Sequence, residues 1–300
     1  MEENHKKPQA TLAKFYMKIV GVLIALTIIF ALIQVAVTLL FDSSFGSDFK
    51  VSYDLPWIVI TQFGTFFLLA IVIAIRSGDI KSSLKLNWNF PTVWLIPLTL
   101  GWLAIVLLES SIITFTIYLL PQEMGVWLAN QFDSLEKFYR DIFGLDSKNI
   151  VQILVVLLAG ALTPSICEEL FFRGMLLSKT RQYVSIRSSL ILTSLLFAAI
   201  HFQPVSFIML FIIGFYLGVT VIITGSIYPA IIIHFINNAI TFIWMSYDSS
   251  SYMSVIQDRN ELFRELGLGL VAILTISLLY KYFFKSKLRF EHEGNHPSDS

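Results

Sequence analysis

Eight continuously apolar runs decide what this 300-residue chain can become. They cover 17–41, 56–75, 91–120, 150–172, 188–202, 205–224, 226–245 and 265–284. A helix needs roughly 20 apolar residues to cross hydrocarbon. In lipid every backbone N–H and C=O must be satisfied internally, which leaves helices and closed barrels. The period-two alternation of barrel strands is missing, so the runs read as helices. The predicted fold class is all-α: a polytopic membrane protein built as a bundle of about eight transmembrane helices. The fifth run is short and depends on its helix starting before Ser188. The third is long, which predicts a tilt or a break near Pro97. A hydrophobic share of 56% and a charged share of 14% agree with this class. The formal net charge of zero gives no footprint for nucleic acid. The single cysteine, Cys167, rules out an internal disulfide and a cysteine-based zinc knuckle.

The expected organisation is a cytoplasmic N-terminal tail over 1–16, a transmembrane domain over 17–284 and a cytoplasmic C-terminal tail over 285–300. The orientation comes from charge. With the N-terminus inside and eight alternating spans, the inner segments hold 15 of the 21 Lys and Arg and the outer segments hold six. That is the positive-inside pattern. The outer loop 121–149 carries Leu128, Phe132, Leu135, Tyr139 and Ile142 at 4-3-4-3 spacing, with charged residues between them. The spacing predicts an amphipathic helix near 126–143, either lying in the interface and packed on the bundle or capping it.

Against this apolar background, charge and imidazole stand out. Of 21 acidic residues, all but Glu109, Glu168 and Glu169 fall in tails or polar loops on this reading. An ionisable group inside a span is costly and marks a functional site by default. Glu169 and Arg173 are four apart on one helical face, with the acid first, the favourable order for a pair. Glu168 points about 100° away and is not satisfied by the same geometry. It therefore suits a general base. Pro164 lies four residues earlier and predicts a kink. His201 ends the fifth run, and His234 shares a face with Asn238. An amide beside an imidazole can orient it or donate to an oxyanion. Each histidine taken alone reads more readily as packing. Measured from the cytoplasmic side, Glu168, His201 and His234 reach a similar depth. One Glu and two His form the ligand set of a catalytic zinc with an open position. Without metal, the same trio can serve as a Glu–His base that activates water. Glu109, beside Ser110 and Ser111, can bond to them or face the cavity, and is expected to line the central cavity rather than lipid.

Read together, EExxxR at Glu168–Arg173, FxxxH at Phe197–His201 and HxxxN at His234–Asn238 resemble the CPBP intramembrane proteases. That family takes in the CAAX prenyl endopeptidases of the Rce1 type and the bacterial Abi, or bacteriocin self-immunity, proteins. The resemblance covers a protease-like core of about 150–245. It implies an eight-helix bundle and an endopeptidase acting on a membrane-associated peptide or protein. It implies that Glu168 with His201 activates water and that Glu169 and Arg173 complete the first motif. It further implies that His234 and Asn238 support the oxyanion or a metal. A divalent ion such as Zn, held by Glu168, His201 and His234, is the one cofactor in view. The Ile, Phe and Lys usage fits a low-GC bacterial source, which makes a bacterial cell membrane the expected location. Two rival readings use the same polar residues, namely a non-catalytic immunity or scaffold protein and a proton-coupled carrier.

Overall fold

Apolar runs of this length leave the backbone no partner but itself, and every regular element in the computed structural model is helical among the described residues. The structure describes residues 3–45, 51–145, 149–247 and 259–284. Its main helices are α1 (Glu3–Phe45), α2 (51–76), α3 (Leu95–Leu119), α4 (Gln122–Phe143), α5 (Ile150–Thr180), α6 (Ile186–Ala199), α7 (Phe207–Thr224), α8 (Tyr228–Tyr247) and α9 (Arg259–Leu279). Seven of these, all but α4 and α6, are long and apolar enough to cross a membrane. The chain is an all-α integral membrane protein.

The fifth expected span is the one that falls short. Helix α6 starts before Ser188, as anticipated, but has 14 residues. It rises about 21 Å, against a hydrocarbon core of about 30 Å. Helix α1 begins at Glu3, so most of the expected N-terminal tail continues the first helix. The expected C-terminal tail, 285–300, lies outside the described residues. Pro97 does not break α3. It falls in the first turn, where its missing N–H would have had no helical acceptor.

The chain clusters into two compact units. The first takes Met1–Leu86, Tyr139–Thr193 and His234–Ser246. Its apolar core joins Leu55, Phe143, Val156, Ala161 and Phe242. Gly160 is required there, since a Cβ would stand 2.6 Å from the Phe143 ring and 2.9 Å from that of Phe242. The second unit takes Asn87–Phe138, Ser194–Ile233 and Tyr247–Ser300. In it Ile113 and Ile117 of α3 pack on Ala129 and Phe132 of α4. The expected amphipathic helix is therefore present and starts one turn earlier than expected, at Gln122. Its early apolar positions pack on α3, while Tyr139 and Ile142 pack in the core of the first unit. The face is used for packing in both.

Candidate active site

Helix α5 carries the first motif and is not a uniform helix. Asn149 caps its start by accepting from the Val151 N–H at 2.9 Å. Two wider, π-helical stretches follow, Leu157–Leu162 and Leu170–Leu176. The first ends just before Pro164. There the Thr163 hydroxyl donates to the Leu158 carbonyl at 2.8 Å, and the Ser165 hydroxyl to the Ala161 carbonyl at 2.6 Å. The expected proline kink is thus a widened turn whose carbonyls find side-chain donors. Such turns occur often at functional sites, because they re-aim the side chains beyond them.

Beyond this turn lie Glu168, Glu169 and Arg173, at 5%, 0% and 2% exposure. The expected i,i+4 pair is present, with Arg173 Nη1 donating to Glu169 Oε1 at 2.6 Å. The guanidinium also sits 5.8 Å from the Phe172 ring centroid. A second contact was not legible in sequence. His234 Nδ1 lies 2.8 Å from the same Glu169 oxygen. A carboxylate oxygen that already accepts from Arg173 can only accept again, so Nδ1 carries the proton. This fixes the tautomer and turns Nε2 toward Glu168, whose Oε2 stands 4.0 Å away. That separation exceeds a hydrogen bond but lets one water touch both atoms.

Glu168 is not wholly free, contrary to expectation. Its Oε1 accepts from Gln62 Nε2 of α2 at 2.8 Å. Gln62 carries no charge and belongs to none of the three motifs. An amide inside the run 56–75 was the available signal. Asn238 lies one helical turn beyond His234 on α8, and its Oδ1 accepts from Asn237 Nδ2 at 3.3 Å. The structure thus brings Glu168, Glu169, Arg173 and His234 into one cluster and adds Gln62.

His201 belongs to the second unit, just past the end of α6. Its Nδ1 lies 2.7 Å from the Phe197 carbonyl, so Nδ1 donates and Nε2 is the acceptor nitrogen. The FxxxH spacing is what closes this bond within one helical turn. Within the unit that holds Glu168, no group of three or more His, Cys, Asp or Glu side chains is gathered as an ion would need, among the described residues.

Glu109 does not bond to its neighbouring serines. Ser110 Oγ donates to Glu265 Oε2 at 2.8 Å, and Ser111 Oγ to the Glu265 backbone carbonyl at 2.7 Å. Glu109 Oε1 is buried without a hydrogen-bond partner among the described residues. Glu265 corrects the count of acidic residues within spans. It is 8% exposed and lies inside the apolar stretch Leu262–Phe283.

Residues 150–240 match the family model described as Type II CAAX prenyl endopeptidase Rce1-like. The chain carries an Rce1-like segment. The match spans all three motifs, and the chain's similarity to CAAX-type intramembrane proteases rests on this segment. No curated protein and no solved structure matches the chain.

Proposed function

We propose that this protein hydrolyses a peptide bond of a membrane-associated protein or peptide, using a water activated by Glu168. The observation that carries the reading is the placement of Glu168 Oε2 opposite His234 Nε2, with Glu169 and Arg173 fixing the imidazole from behind. Glu168 takes a proton as the water oxygen attacks the carbonyl carbon. That proton then passes to the leaving nitrogen as the C–N bond breaks. Nε2 of His234, when it carries a proton, and the Asn238 amide are the donors for the oxyanion. The resemblance assigns His201 to water activation, and its acceptor Nε2 suits that role. Arg173 holds the Glu169 carboxylate in place.

A divalent ion such as zinc would activate the same water by lowering its proton affinity. Glu168 and His234 offer two donors for it, whereas catalytic zinc ordinarily takes three protein ligands. The fit within this unit is incomplete, so no step is routed through an ion. The positive-inside charge pattern supports cytoplasmic N- and C-termini, and the Ile, Phe and Lys usage supports a bacterial cell membrane.

The test is cleavage of a quenched peptide library by the purified protein, by Glu168→Gln, and by each in the presence of a chelator. Glu168→Gln is expected to lose about 10²–10⁴ in rate with its fold intact. Equal cleavage by wild type and variant would sink the assignment. Loss with chelator, restored by zinc, would replace the bare carboxylate with a metal-bound water. Absence of cleavage with any substrate would favour an immunity or scaffold role.

A further inference from the structure

We propose that Gln62 is a positioning residue for Glu168, an inference that rests on the reading just given. Gln62 lies outside the Rce1-like segment, on α2, at the last residue before a π-helical stretch, Phe63–Phe67. Its Nε2 donates to Glu168 Oε1, and its Oε1 is buried with no hydrogen-bond partner among the described residues. A buried acceptor left unsatisfied is costly. A leucine or methionine would pack here without that cost, so the gain must come from the one bond the side chain makes. That bond engages one oxygen of the carboxylate and leaves the other, Oε2, facing His234 Nε2. Without it the carboxylate can rotate about its terminal torsion, which has broad, shallow preferences.

The surroundings hold Gln62 still. One turn on, Phe66 packs edge-on to Phe171 at 5.5 Å and against Phe172 at 5.9 Å. Those two phenylalanines follow Glu168 by three and four residues, so α2 and α5 run in the same direction through the site. On its other side the π-helical stretch is pinned by α1. Gly64 has no room for a Cβ, because the Phe30 ring occupies that space. The widened turn, locked between α1 and α5, sets the register that presents the amide to Glu168.

The test compares kcat and KM for wild type, Gln62→Met and Glu168→Gln on one cleaved peptide. Gln62→Met keeps length and packing but cannot donate. It is expected to lower kcat by roughly 10- to 100-fold, as a displaced catalytic group does, with KM within about twofold. If Gln62→Met does not fold, Gln62→Asn replaces it. The shorter amide stays polar but cannot hold the carboxylate in place, and the same loss of kcat is expected. Full kcat in these variants while Glu168→Gln is inactive would overturn the inference and leave the proposed function standing. A rise in KM with kcat preserved would also overturn it, since that marks substrate packing. Cleavage by Glu168→Gln would remove the proposed function and this inference with it.

Discussion

Both units bury carboxylates inside apolar helices, but they satisfy them in different ways. In the first, Glu169 accepts from a guanidinium and an imidazole, and Glu168 from an amide on another helix. In the second, Glu265 is met by the Ser110 hydroxyl, while its backbone carbonyl takes Ser111. Gly269, one turn on, makes this possible, since a Cβ there would stand 2.9 Å from Ser111. The second arrangement joins α3 and α9 through small residues and hydroxyls, as packed membrane helices commonly do. The first brings groups from three helices and leaves one carboxylate oxygen turned toward a ring nitrogen. Burial of charge alone does not mark a site. What marks it is charge held in an arrangement richer than packing requires.

Glu169→Ala should have the largest effect. It removes a carboxylate that both Arg173 and His234 engage, and takes the ion-pair acid from a guanidinium at 2% exposure. Removing one partner of a buried ion pair costs about 3–5 kcal/mol. Thermal unfolding in detergent should show a large fall in midpoint, together with loss of hydrolysis. A midpoint near that of wild type would mean that Glu169 is no keystone, and the contrast between the units would weaken.

His234→Gln comes next and separates chemistry from support. A fall in kcat of about 10²-fold is expected, the low end for loss of an acid–base or oxyanion group. The loss of stability should be smaller than for Glu169→Ala, because Arg173 keeps its carboxylate. Kinetics and unfolding on the same preparations check this. Unchanged kcat would reduce His234 to a packing residue.

How far this cluster could be read from sequence follows from distance along the chain. Glu169 and Arg173 were legible as a pair because one helical turn joins them, and His201 was legible as a lone imidazole for the same reason. The His234–Glu169 bond spans 65 residues and the Gln62–Glu168 bond 106, and no local periodicity encodes either. The spans themselves were legible because hydropathy is a property of a window. Their ends were not, because capping and the widened turns depend on single residues. Glu265 stands at the first position of its apolar run, where hydropathy alone does not separate span from loop.

Ser110→Ala should have a smaller effect. It removes the hydroxyl from Glu265 Oε2, and interhelical hydrogen bonds in membrane proteins are worth about 0.6 kcal/mol on average. A modest drop in unfolding midpoint with unchanged kcat is expected. A tenfold loss of kcat would show that the α3–α9 contact takes part in hydrolysis.

Glu265→Gln should do least, and it tests the contrast most directly. The substitution removes the charge but keeps a carbonyl oxygen that can accept from Ser110, and the Ser111 bond goes to the backbone and is untouched. The Arg264 contact it weakens, 3.3 Å long with Arg264 at 60% exposure, is of the solvent-screened kind that contributes little. Stability should therefore stay within about 1 kcal/mol of wild type. The same change of atoms at Glu168 is expected to stop hydrolysis. If Glu265→Gln lowered the rate as Glu168→Gln does, Glu265 would take part in the chemistry, and the contrast between the two arrangements of carboxylates would fail.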